Sequence, residues 1–236
     1  LEVHLIVREM DAVYLEDTLK DLTNQLFQDW RAIIHMPKKV SKHLERVLKE
    51  AVASDGRFLV TPIQIESELS SSPKVLISES IRLRPHALYM LATTYLSGYQ
   101  FVYSDEDVLD RNGIRSDALF KPEASPLLEK QVHYVGSCWL IGDYPHHLGL
   151  VLQDVFGGKL TPHQFVSLLL SELPLATVKR IPWILYHRRE PRLGYDSNSS
   201  LEVGQIDRGA LPVISIIIPT RDKLELLEPC IRSIID

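Results

Sequence analysis

The sequence predicts an α/β fold, a mostly parallel sheet with helices packed on it. Three observations predict it. Short β-rich runs alternate with helical stretches from the first residues onward. The apolar positions of the helical stretches recur at three- and four-residue spacing. Turn formers mark the joints between them. The 236 residues are 45% hydrophobic, which suits one α/β domain of about 200 residues plus a short extra piece.

The elements follow in order. "EVHLIV" (2–7) is a strand. Leu15, Leu19, Leu22 and Leu26 then form one apolar stripe, the mark of an amphipathic helix. "WRAIIHM" (30–36) is a second strand, followed by a helix carrying Val40, Leu44, Val47 or Leu48, and Ala51. "GRFLVTPIQI" (56–65) is a third strand behind a glycine turn, and "KVLIS" (74–78) a buried strand behind the turn "SSSP". Pro85 marks a helix start, where a missing N–H costs nothing, and Leu88, Leu91, Ala92 and Tyr95 continue that helix.

"YQFVYS" (99–104) is a further apolar strand running into an acidic turn, "DEDVLD". "RNGIRSDALFKPEASP" (111–126) has loop chemistry, with Asn-Gly and two prolines. "VHYVGSCWLIG" (132–142) is a strand pair or one bent strand. Leu148, Val151, Leu152 and Val155 predict a helix that stops at Gly157-Gly158. Thr161 caps another beginning at Pro162, with Phe165, Leu168 and Leu169 inward. "RIPWILYH" (180–187) is the last strand of this domain. Polar, turn-rich residues then form a linker over 191–211. "PVISIIIPTRD" (212–222) and a helix with Leu224, Leu227 and Ile231 repeat the opening strand–helix unit.

Bulk properties exclude some functions. There are 26 Lys and Arg against 31 Asp and Glu, a net charge of −5, which gives no electrostatic basis for nucleic-acid binding. The two cysteines, Cys138 and Cys230, supply neither a disulfide framework nor zinc spacing, and fit a reducing compartment. No run reaches the ~20 apolar residues that span a bilayer. The start has no signal-peptide pattern, and both ends are expected to be cuts in a longer protein.

Several stretches carry a family resemblance: "FVYSDEDVLDRNGIRSDALFKPEASPLL" (101–128), "RIPWILYHRRE" (180–190), "LFQDWRAII" (26–34), "RPHALYMLA" (84–92) and "VISIIIPTRDKLELLEPCIRSII" (213–235). Together they resemble family-two glycosyltransferases of the bacterial surface-polysaccharide and O-antigen type. The resemblance implies the GT-A fold of nucleotide-diphospho-sugar transferases, a Rossmann-like mixed sheet with helices on both faces. It implies one such domain over 1–190 and the first strand and helix of a second over 212–236.

Its functional implications are specific. A sugar passes from a nucleotide-diphosphate donor to a glycan or lipid-linked acceptor, in the cytoplasm or at the inner face of the membrane. A divalent cation, Mn or Mg, neutralises the leaving diphosphate. Asp105, Glu106, Asp107 and His163 are the catalytic candidates. Glu79, Lys121, His187, Arg188, Pro219, Thr220, Arg221 and Asp222 are the donor-binding candidates, with Glu79 and His187 the metal ligands. Structural alternatives stand beside these: an acidic capping turn at 105–107, a salt bridge for Lys121, a helix-start His163, a structural His187, and a solvated loop for Arg188, Arg189 and Arg192.

The chain departs from the family pattern twice. The Asp-x-Asp set falls on Ser78, Glu79, Ser80 and Ile81, without aspartate. The position after Gln164 is Phe165, where the family has the acidic general base. The alternative function is therefore a catalytically inactive GT-A domain, serving the second domain as an acceptor-binding or scaffolding module.

Overall fold

A computed structural model describes residues 1–7, 12–36, 40–62, 72–189, 218 and 224–235. The chain divides into two compact units, Leu1–Ser197 and Asn198–Asp236.

The first unit is built on strands β1 (Glu2–Ile6), β2 (Arg31–Met36), β3 (Phe58–Pro62), β4 (Lys74–Ile77), β5 (Arg82–Leu83), β6 (Phe101–Leu109), β7 (Arg115–Leu119), β8 (Cys138–Ile141) and β9 (Val178–Arg188). Its helices are α1 (Ala12–Thr23), α2 (Lys42–Ser54), α3 (Ala87–Leu96), α4 (Pro126–Val132), α5 (His146–Phe156) and α6 (Pro162–Glu172). The sheet order is β3-β2-β1-β4-β8-β6-β9-β5, with β7 against β6. β3, β2, β1 and β4 are mutually parallel; β8 enters antiparallel between β4 and β6. The sheet is therefore mixed.

Alternation along each strand sends side chains to two cores. Val75 and Ile77, Val102, and Cys138 and Leu140 face one core, completed by Leu15, Leu19 and Leu22 of α1, Leu44, Val47, Leu48 and Ala51 of α2, and Ala87, Leu88 and Leu91 of α3. Leu76, Phe101 and Tyr103, and Trp139 and Ile141 face the other, where Leu148, Leu152, Val155 and Phe156 of α5 meet Phe165, Val166, Leu169 and Leu170 of α6. Helices thus cover both faces.

Local chemistry fixes the helix starts. Ser41 caps α2 by accepting from Leu44 N, and Ser125 caps α4 by accepting from Leu128 N. Thr161 and Gln164 form a capping box on α6, as its sequence predicts, with Pro162 in the first turn.

Four expectations change. Leu26 lies beyond the end of α1 and is 70% exposed, so it leaves the apolar stripe. α3 begins at Ala87 with His86 as its cap, two residues after Pro85. The 111–126 stretch is no simple loop: β7 folds back on β6 after the Asn112-Gly113 turn, where Gly113 has φ 80°. The 132–142 segment holds one strand, β8.

The fifth change shapes the site. β6 runs straight through Ser104, Asp105, Glu106 and Asp107 to Leu109, so these acids are strand residues rather than a turn. Its first half pairs with β8 and β9, its second with β7 and β9. The register with β9 jumps from Ser104–Ile181 to Asp105–Ile184. The displaced pair, Pro182 and Trp183, is exposed. Proline has no N–H to give a ladder, so a bulge is where it is tolerated.

In the second unit, the described structure is Ile218 and helix α7 (Leu224–Ile235), the helix its leucine spacing predicts. The strand expected at 213–218 otherwise lies outside the described residues, as do Pro219, Thr220, Arg221 and Asp222.

Candidate active site

Three consecutive acids in a strand are costly to bury unless each is neutralised. Here each has cationic or hydrogen-bonding partners. Asp105, 1% exposed, accepts from Arg180 Nε and Nη2 at 2.9 and 2.7 Å and from the Lys121 amide at 2.9 Å. This paired fork is the stronger geometry for an arginine–carboxylate bond, and its hydrogen bonding to Asp105 raises the Arg180 pKa further. Glu106 lies 2.9 Å from Lys121 Nζ and accepts from the Tyr186 hydroxyl. Asp107 accepts from Arg115 Nε at 2.6 Å and bonds His187 Nδ1.

Lys121 and Tyr186 tie this row to the neighbouring loop. Lys121 Nζ donates to Val135 O at 2.7 Å and to the Tyr186 hydroxyl at 3.0 Å; that hydroxyl also accepts from Ser137 N at 3.0 Å. Burial lowers the His187 pKa, with Asp107 opposing the shift. The imidazole is therefore neutral near pH 7, its Nδ1–H donating to Asp107.

The segment after β4 completes the group. Ser78 N donates to Ser137 O at 2.9 Å. Glu79 Oε1 accepts from Arg188 Nε at 2.8 Å and from the Ser137 hydroxyl. Ser78 and Ser80 are buried. The position at which the resemblance expects a cation is thus filled by two serines and one carboxylate already neutralised by a guanidinium. Hard divalent cations take carboxylate and carbonyl oxygens that are free to coordinate, and this set does not fit one. His187, the other expected metal ligand, is turned to Asp107. Among the described residues, neither Glu79 nor His187 belongs to a group of three potential ligands close enough to hold a metal.

The structure therefore brings together Glu79, Asp105, Glu106, Asp107, Lys121, His187 and Arg188. It places His163 on α6, ring-stacked on His133 at 4.7 Å. Sequence reasoning missed Arg180, Arg115, Tyr186 and Ser137. The β9 pattern held a signal for two of them: an arginine and a tyrosine on an apolar strand next to buried acids.

The sheet order, the antiparallel β8 and the helices on both faces define the GT-A fold of nucleotide-sugar transferases. S. aureus TarS in complex with UDP-GlcNAc superimposes with a TM-score of 0.55 and 11% identity, over 84% of this chain and 60% of that one. A second TarS structure gives a TM-score of 0.51 at 9% identity, over 80% and 60%. In sequence, the O-antigen biosynthesis protein RfbC of Myxococcus xanthus is 28% identical over 142 residues, 55% of this chain. The chain spans 11% of the length of that relative. No protein-family model matches the chain.

Proposed function

We propose that this chain is part of a glycosyltransferase that moves a sugar from a nucleotide-diphosphate donor to a glycan or lipid-linked acceptor during surface-polysaccharide synthesis. The observation that carries the proposal is the GT-A sheet joined to sequence similarity with an O-antigen biosynthesis protein. TarS, on which this chain superimposes, is known in complex with UDP-GlcNAc. No described helix is long and apolar enough to cross a membrane, and the reading places the reaction in the cytoplasm or at the inner membrane face, where nucleotide sugars are used.

One observation favours a division of labour inside that protein. The Arg188–Glu79 ion pair stands where a metal-dependent transferase needs free carboxylates. In this reading 1–190 is a domain that binds acceptor or positions its neighbour. Catalysis belongs to the domain begun at 212–236, whose Pro219, Thr220, Arg221 and Asp222 hold the nucleotide and whose cation is Mn or Mg. Asp105, Glu106 and Asp107 act inside the sheet as struts, with Arg180, Lys121 and Arg115 as their counter-charges.

Calorimetric titration of the chain with UDP-GlcNAc and other nucleotide-diphosphate sugars, with and without Mn²⁺, tests the division. The expected result is no Mn²⁺-dependent binding at millimolar donor. Such binding would return transfer to 1–190. Separately, full-length protein that releases no nucleotide diphosphate with any polysaccharide acceptor would remove the transferase reading itself.

A further inference from the structure

We propose that Glu129, His133 and His163 form a binding site for Zn²⁺ or a similar imidazole-preferring divalent cation, clipping the end of α4 to the start of α6. It is independent of the donor site and of the transferase reading.

The placement is local. Glu129 and His133 are four residues apart, so one turn of helix stacks them on the same side of α4. His133 is the C-cap of that helix and takes the left-handed conformation, φ 49° and ψ 48°. His163 is the second residue of α6, fixed there by Pro162 and by the Thr161–Gln164 capping box. Two independently anchored helix ends thus converge. One ligand atom from each of the three residues lies within 4.8 Å of the others.

The donor set selects the ion. Two neutral imidazoles and a carboxylate suit zinc, at about 2.0–2.2 Å per bond, and are a poor match to Mg²⁺, which prefers oxygen and retained water. The Glu129 carboxylate is fully buried, and one of its oxygens accepts from Val135 N at 2.9 Å. A hydrogen bond of this kind orients a ligand and is the usual support behind a metal site. Both histidines are half-buried, which leaves a coordination position open to water. The two rings lie 17° from parallel. Binding requires them to open out of the stack so that their lone pairs converge, a side-chain rotation that leaves both helices in place.

Val135, whose N–H donates to Glu129, also accepts from Lys121 Nζ at 2.7 Å through its own carbonyl. The ion would thus sit one residue away from the buried charged row of β6.

The test uses the metal alone. The dialysed chain is titrated with Co²⁺, read by visible absorption, and then with Zn²⁺ in competition. Expected are the intense bands of a four-coordinate cobalt centre, their loss on adding Zn²⁺, and a melting temperature raised by Zn²⁺ but not by Mg²⁺. His163→Gln and His133→Gln each weaken Zn²⁺ binding by at least about tenfold, while their circular dichroism in EDTA stays that of the wild type. Because His163 stands at a partly exposed helix start, its variant folds even if His133→Gln does not. Zn²⁺ affinity unchanged in His163→Gln, or no binding by the wild type below millimolar Zn²⁺, overturns the proposal.

Discussion

Arg188 Nε donates to Glu79 Oε1 at 2.8 Å, joining the last residue of β9 to the turn after β4 across 109 positions of sequence. Both side chains are mostly but not wholly buried, at 16% and 23% exposure, so solvent screens part of the attraction. Removing one partner leaves the other half-buried and uncompensated. Arg188→Ala is expected to cost about 1–3 kcal/mol in denaturant unfolding. In a double-mutant cycle, Glu79→Gln should cost less in the Arg188→Ala background than in the wild type. Additive losses would show that the pair contributes nothing of its own.

A larger loss is expected at Lys121. Its ammonium is completely buried against Glu106, Tyr186 and Val135 O. Lys121→Ala strands the Glu106 carboxylate in the interior and should destabilise the fold by about 3–5 kcal/mol. Lys121→Met combined with Glu106→Gln removes both charges and should recover much of that loss. Chemical unfolding of the three proteins checks the order.

Acid should weaken the fold through a second buried group. His4 Nδ1 and His35 Nε2 lie 3.0 Å apart, and both rings stack on Phe156. Burial lowers the His35 pKa to about 3, with His4 adding to the shift, and burial also lowers His4. The sign follows: a histidine kept neutral in the fold but free to protonate when unfolded makes the unfolded state the better proton binder. Stability is then fully present above about pH 7 and falls as the pH drops through the unfolded value near 6.5 toward 3. His35 alone accounts for about 2 kcal/mol lost at pH 5. His35→Gln should flatten the dependence between pH 7.5 and 5. An unchanged slope would place the titration elsewhere.

Gly142 follows β8, where the backbone passes beneath Tyr95. A Cβ there would stand 2.0 Å from Tyr95 Cε2, so Gly142→Ala must displace the ring. Overpacking of this kind costs about 1–3 kcal/mol, and Tyr95→Leu in the same background should relieve it. Melting temperatures of the two variants provide the check.

The scaffold was legible in the sequence because burial and periodicity are the same thing seen twice. The stripe Leu44, Val47, Leu48 and Ala51 is buried as spaced, and the Thr161-Pro162 start of α6 is read directly from cap chemistry. The acids at 105–107 were misjudged for a physical reason. A run of charge looks like a solvated turn until its counter-charges are known, and Arg180, Arg115 and Lys121 come from three other segments. Only the folded sheet shows that pairing. Ser78 and Ser80, by contrast, were legible at once, since an absent carboxylate needs no partner to be noticed.

The pairing of β6 also separates two kinds of information within one stretch of letters. Asp105, Glu106 and Asp107 hold strands together, so a domain that has given up its chemistry would still lose its shape without them. Under the proposed function, a match to this chain over 101–109 speaks for a shared architecture, and the three residues that follow β4 speak for or against a shared activity.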